Sequence, residues 1–413
     1  MTANLSPLPP LPSGFEAKGP DLLFAGKTVA AWAAQYGTPL YLYDTARLKR
    51  KYEALRAAMP KELYLSYAIK ANPHTEVIRF LGKHYDGVDL ASMGEMAKAM
   101  EAGVEPARMS FAGPGKSPAE LEFAVKNGIG AISVESQREL ELIIGIAQRL
   151  NTKARVYFRV NPAFELGSSG LKMGGGSKQF GIDAELIPDL VKGLKGNPLV
   201  TFHGLHFFTG VQNLNADAIL SAFEKILAYA ADLVESADAS MEVLNLGGGF
   251  GIPHHRGDGE LDLAKVGEGM GKLFDAIRPR LPKTRFKIEL GRFVVGECGL
   301  YISKILYRKM SRGGVFLVMD GGLHQYLAAS GHMSGNPIHR PMNIAIASRM
   351  DAPLEKVNVV GTLCTPLDRF GFNLELPRAE EGDLIAVLNA GAYGFSMSPL
   401  TFLSHALPKE VVL

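Results

Sequence analysis

The sequence predicts an α/β fold, a (β/α)8 TIM-type barrel joined to a C-terminal β-sandwich or β-barrel domain. Three observations carry this. Short β-rich runs alternate with helix-like stretches over residues 64–292, polar and glycine residues gather at the C-terminal ends of those runs, and the alternation stops after Arg292. Strand–helix alternation in short units specifies a parallel sheet. Eight such units fit a closed barrel, with a doubly wound open sheet as the competing arrangement.

The elements follow in order. SPLPPLPSGFEAKGP reads as an extended leader, and the segment 1–44 is expected to join the later β domain. Strands are expected at LYLSYAI, GVDLAS, RMSFAG, AISVES, ARVYFRVN, FHGLHFF, EVLNLGG and FKIELGR. Helices are expected between them, as in HTEVIRFLGKHY, GEMAKAMEAG, SQRELELIIGIAQRL and NADAILSAFEKILAYAADLVES. Lys70 follows the first strand, Asp89 and Ser92 close the second, Glu135 and Ser136 the fourth, and Arg159 and Asn161 the fifth. His206 lies in the sixth, Gly247, Gly248 and Gly249 end the seventh, and Glu289 and Arg292 end the eighth. In a barrel these ends converge on one face, where the active sites of such folds lie. LYISKILYRKM, GGVFLVMDGG, VNVVGTLC and DLIAVLNAGAYG are strand-like without regular helical connectors. The expected organisation is therefore 1–44 as leader and joining segment, 45–292 as barrel and 293–413 as β domain.

Composition narrows the class. With 47% hydrophobic and 21% charged residues the chain can bury a sizeable core, and a formal charge of +2 gives no reason to expect nucleic acid or an anionic membrane as partner. Two cysteines, Cys298 and Cys364, imply no disulfide framework and fit a reducing compartment. No apolar run is long enough to span a bilayer, and no secretory signal is visible, so the expected location is the cytoplasm.

Four motifs carry chemistry. In YAIKAN, Lys70 ends a buried strand, where desolvation favours the neutral amine that forms imines; a solvated lysine is the competing reading. LNLGGGFG lets backbone N–H groups approach a phosphate, or is simply a tight turn. IELGR places Glu289 where a carboxylate can keep a pyridine nitrogen protonated, with Arg292 as a phosphate contact; an ordinary ion pair competes. GTLCTPLDRF sets Cys364 in a polar turn, and NAGAYGFSMSP sets Tyr393 between glycines, to reach a phosphate or to cap the core. His254, His255, Asp258 and Glu260 form no convincing metal set and are taken as solvated, so no metal is expected.

YAIKAN, DLASMGE, GGGFG, ELGR, the cysteine turn and GAYGFSMS, in this order, resemble the fold type III pyridoxal-phosphate decarboxylases, the ornithine and diaminopimelate decarboxylases related in their barrel to alanine racemase. The resemblance covers residues 28–405. It implies a pyridoxal 5'-phosphate enzyme that decarboxylates an amino acid or its derivative. Lys70 then holds the cofactor as a Schiff base, and Asp89, Glu95 and Arg159 organise lysine and ring. Gly247, Gly248, Gly249, Arg292 and Tyr393 match the phosphate cradle, and Glu289 the partner of the ring nitrogen. Cys364 matches the acid that reprotonates the α-carbon, working in the neighbouring subunit of a homodimer.

The departures are informative. HFFTGVQ puts Phe208 where the family commonly stacks a histidine on the cofactor, with His206 two residues earlier, either supporting the site or satisfied in the core. Thr365 stands where ornithine and diaminopimelate enzymes carry an acid for the distal ammonium group; Arg340 and Asp368 are further candidates for substrate contact. LKMGGGSKQFGID, TGVQNLN and CTPLD resemble a subgroup that includes a decarboxylase of carrier-protein-tethered glutamate, and residues 167–176 read as a lid or a surface loop. The rival readings are an amino-acid racemase, against which Cys364 argues because such racemases use a tyrosine, and a non-catalytic cofactor-binding or regulatory homologue, against which both Lys70 and Cys364 argue.

Overall fold

The computed structural model describes residues 11–162, 176–255, 257–331 and 340–413. The predicted lid at 167–176 falls almost wholly outside the described residues. Eight parallel strands among the described residues form the barrel: β1 (Tyr64–Ala68), β2 (Gly87–Leu90), β3 (Met109–Phe111), β4 (Ala131–Val134), β5 (Ala154–Asn161), β6 (Val200–His206), β7 (Val243–Gly248) and β8 (Arg285–Leu290). Neighbours pair in chain order from β1 to β8, β8 pairs with β1, and the ring closes without an edge. The open doubly wound alternative is thereby excluded.

Local chemistry explains the connections. Ser92, Ser117 and Ser136 each follow a β-strand or its loop and accept a hydrogen bond from the backbone N–H three residues on, starting the next helix. Ser117 and Glu120 complete a reciprocal capping box. The helix Ala216–Ser236 turns Ile219, Phe223, Ile226, Ala230 and Leu233 inward at spacings of three and four. None of the described helices is long and apolar enough to cross a membrane.

The chain divides into two compact units, one of residues 50–251 and 260–294, the other of residues 1–49, 252–259 and 295–413. The second unit holds, among the described residues, a mostly antiparallel sheet of eight strands and a small three-stranded antiparallel sheet over residues 16–28. Its long strand Gly299–Ser311 pairs with Leu384–Leu388, with Gly314–Met319 and with Leu40–Tyr43, which in turn pairs with the C-terminal Lys409–Val412. Leu40, Leu42, Leu300, Ile302, Ala386 and Trp32 share its core.

Candidate active site

Side chains alternate along a strand, so Lys287 and Glu289 of β8 share one face, and that face points into the barrel. Lys287 lies opposite Tyr64 and Asn245, and Asp89 lies opposite Ala68 and Ser110. The Lys287 Nζ donates to Asp89 Oδ1 at 2.7 Å and to Ser110 Oγ at 2.7 Å, and stands 3.5 Å from Glu289 Oε1. The Ser110 hydroxyl also donates to Asp89, and the Asn245 amide donates to Glu289. On the far side of Glu289, His206 Nε2 lies 3.5 Å from Oε2, and His206 Nδ1 is hydrogen-bonded to Ser133 Oγ at 2.7 Å. One buried network thus joins β2, β3, β4, β6, β7 and β8.

Its electrostatics are uneven. Burial pushes the Glu289 carboxyl up, but His206 and Lys287 overcome it and hold the group well below the usual range. Asp89 goes the other way, pushed up to about 7 by burial and by the Glu289 charge against the pull of Lys287. Burial lowers the proton affinity of Lys287, yet Asp89 and Glu289 raise it further, so this ammonium keeps its proton. A lysine held in that state is not a nucleophile. Lys70 is placed differently: it sits in the single turn Ile69–Ala71 after β1, exposed, while Ala68 and Ile69 are buried. The burial expected of Lys70 from sequence is therefore absent; the strand is sealed and its last side chain stands out at the mouth. Burial raises Glu95, and its Oε2 accepts from the Ala91 N–H at 2.6 Å while the Lys70 charge draws it back down.

A second cluster lies at the end of β5. Glu135 Oε1 accepts from Arg159 at 2.8 Å and from the Gly113 N–H at 2.8 Å, and its Oε2 from the Gly181 N–H at 3.1 Å. Arg159 is held beneath two rings, 4.9 Å from the centroid of Phe180 and 5.8 Å from that of Phe208. Arg159, Asn161, Lys178, Phe180 and Phe208 line a small open cleft.

The glycine turn is shaped by backbone approach. Gly247 and Gly249 have φ of 73° and 81°, and a Cβ on them would meet the carbonyls of Phe207 at 2.6 Å and Gly210 at 2.7 Å. The Thr209 hydroxyl donates to Gly248 O at 3.0 Å and the Asn213 N–H to Gly249 O at 2.8 Å, so this turn is fastened to the loop that presents Phe208. Arg292 begins the short helix Arg292–Val295 directly after β8.

The remaining candidates belong to the β unit. Cys364 is exposed, whereas Cys298 is fully buried, its thiol pushed up by burial. Asp368 is buried, accepting from the N–H groups of Leu323 at 2.6 Å and Leu363 at 2.8 Å, and so it ties down the turn that carries Cys364. The Thr365 hydroxyl accepts from the Leu367 N–H at 3.3 Å. Arg340, a proposed substrate contact, is paired with Asp258 at 2.7 Å. Asp258 also accepts from the N–H groups of His254 and His255, and His254 is buried, so these groups form an ordered loop rather than a solvated run. Tyr393 holds a φ of 54°, next to Gly394, where an added Cβ would meet the Tyr41 ring at 2.8 Å.

Sequence reasoning missed Lys287, Ser110, Asn245 and Ser133. The available signal was Lys287 and Glu289 two apart in a strand whose Phe286, Ile288 and Leu290 are apolar, a spacing that puts both charges on one face.

A closed parallel barrel thus carries an exposed lysine beyond its first strand, a carboxylate held ionised inside and a glycine turn after its seventh strand, groups that suit an aldehyde cofactor with a ring nitrogen and a phosphate. The chain belongs to the pyridoxal-dependent decarboxylases, whose pyridoxal binding domain matches residues 45–296. It is similar to the decarboxylase of L-glutamyl-BtrI acyl-carrier protein from Niallia circulans, 36% identical over 93% of this chain and 90% of that one. It is also similar to diaminopimelate decarboxylase of Aquifex aeolicus, 30% identical over 93% of this chain and 88% of the other. Among solved structures, diaminopimelate decarboxylase of Helicobacter pylori complexed with L-lysine superimposes with a TM-score of 0.83 at 28% identity, over 93% of each chain. The cofactor is pyridoxal phosphate, and the activity is that of an amino-acid carboxy-lyase.

Proposed function

We propose that this enzyme decarboxylates a glutamate-like amino acid tethered to a carrier protein, with Lys70 binding pyridoxal phosphate and Cys364 returning the proton to the α-carbon. The observation that carries the substrate is the cysteine turn: Thr365 has no charge to offer a distal ammonium group, and the carboxylate of Asp368 is turned onto backbone N–H groups. The 36% identity to the carrier-protein enzyme supports the same reading.

The residues fit the cofactor. Bound pyridoxal phosphate supplies an electron sink for the pair left behind by departing carbon dioxide. Lys70, exposed beyond β1, would hold the cofactor through its aldehyde carbon. Glu289, held ionised, is the partner for a protonated ring nitrogen, and the lysine-facing Glu95 with Asp89 and Arg159 orders the surroundings. Gly247, Gly248 and Gly249, with Arg292 and Tyr393, are assigned to the phosphate. Phe208, fixed by the glycine turn and backed by Arg159, is assigned to stack on the ring, with His206 beneath Glu289. Cys364 is assigned to the barrel of the neighbouring subunit in a homodimer. Exposed Tyr307, Met310, Leu367 and Phe372 on the β unit support such an interface.

Purified protein given glutamyl-carrier protein, free diaminopimelate, ornithine and lysine in parallel tests the substrate by carbon dioxide release. Turnover of the tethered amino acid is expected to exceed that of each free one. Preference for free diaminopimelate overturns the reading.

A further inference from the structure

We propose that Lys287, buried inside the barrel, is a positioning residue for the cofactor: by binding Asp89 and standing beside Glu289 it leaves the Glu289 carboxylate in place and open to the protonated ring nitrogen. The inference rests on the reading that Glu289 meets that nitrogen. Lys287 is sealed from solvent, its side chain 5% exposed. Its ammonium serves two carboxylates on two strands, Asp89 at 2.7 Å and Glu289 at 3.5 Å. Around it stand the hydroxyl of Ser110 on β3 and the rings of Tyr64 on β1 and Tyr157 on β5, each ring centroid within 6 Å of Nζ.

Remove this ammonium and two carboxylates share one buried site. Like charges at such range do not both stay ionised in a low-dielectric interior; one takes up a proton. Asp89, already pushed up to about 7, takes that proton first, and a proton shared with Glu289 then competes with the ring nitrogen for the Glu289 carboxylate, so the ring weakens as an electron sink. Lys287 therefore acts on the cofactor through Glu289, not by contact. The competing role is structural: an ion pair that only fills the barrel, which apolar packing can replace without loss.

The two roles separate in the affinity of the full-length apoprotein for pyridoxal phosphate against its 1-deaza analogue, in which the ring nitrogen is replaced by carbon. Both ligands are titrated by visible absorbance into wild type, Lys287→Met, Lys287→Gln and Glu289→Gln. Lys287→Gln keeps a donor for Asp89 and Ser110 without charge, so a folding defect in Lys287→Met does not end the test. Wild type is expected to prefer pyridoxal phosphate by at least about tenfold, the factor one charge-assisted hydrogen bond supplies. Glu289→Gln and both Lys287 variants are expected to lose that preference while binding the analogue as wild type does. Loss in Glu289→Gln with full preference in the folded Lys287 variants overturns the role of Lys287 and leaves that of Glu289 standing. Preference retained in Glu289→Gln overturns the reading on which the inference rests.

Discussion

At the scale of single residues, the same side-chain type does opposite work according to what surrounds it. Lys70 and Lys287 are both barrel lysines, yet one is exposed at the mouth and the other is locked to Asp89 and Glu289. Cys364 and Cys298 divide in the same way, one exposed in a polar turn and the other sealed with its thiol pushed up. Only the exposed thiol can meet a substrate. Replacing Cys364 with alanine is expected to slow the reaction by about 10²–10⁴-fold, the usual contribution of a positioned acid. Serine at the position restores little, because its hydroxyl is a far weaker acid than a thiol. Product formation and the fidelity of deuterium incorporation at the α-carbon in heavy water check this together. A Cys364→Ala enzyme with wild-type turnover and stereochemistry removes the cysteine from the mechanism.

At the scale of elements, side-chain direction decides what sequence could not. The sequence offers Asp368 only as a candidate for substrate contact, and in the fold Gly361 and Gly322 leave room for its carboxylate to turn inward. Asp368→Ala is expected to leave two N–H groups without their acceptor, at about 1–3 kcal/mol each, and to lower turnover without weakening pyridoxal phosphate binding. Urea unfolding and cofactor titration measure the two effects separately. The Glu135–Arg159 pair gives a pH signature. Burial opposes ionisation of Glu135, but Arg159 and the N–H groups of Gly113 and Gly181 hold its carboxyl below the ordinary 4.5. A carboxyl held low stabilises the fold fully above its unfolded value and progressively less as pH falls through the folded one. Glu135→Gln is thus expected to destabilise the apoprotein by about 3–5 kcal/mol at neutral pH, a gap that narrows below pH 4.5. A gap independent of pH overturns that assignment.

These elements also show what the sequence made legible. The eight barrel strands could be read because each is a short apolar run bounded by glycine, serine or a charge, a pattern written locally. The strand Arg369–Pro377 was missed: Gly371 and Asn373, the latter at a φ of 51°, break its alternation, and its pairing with Leu354–Val360 is bulged. Lys409–Val412 was missed because its partner, Leu40–Tyr43, lies at the opposite end of the chain and leaves no local mark. Polar residues at strand ends were visible for the same reason that the strands were. Lys287 was not, since a charge within a strand reads as facing water until the barrel closes around it.

At the scale of the whole molecule, the proposal to be tested is that two chains share each active site. Symmetric dimers make that claim quantitative. Suppose Cys364 works in the barrel of the neighbouring subunit. A mixed dimer of Lys70→Ala and Cys364→Ala chains then holds one barrel with Lys70 and an intact cysteine from its partner, and one barrel lacking both. Co-expression of the two dead variants in equal amounts makes about half the dimers mixed, with one competent site in two, so about a quarter of wild-type activity is expected. If Cys364 instead serves the barrel of its own chain, every site in every dimer carries one defect, and mixing restores nothing. Tags of different charge on the two variants allow the mixed species to be isolated, so that its specific activity, expected at half of wild type with one site of two intact, is read without assuming random assortment. The visible band of the bound cofactor counts barrels with Lys70 in the same sample, which separates a failure to load the cofactor from a failure to complete the site.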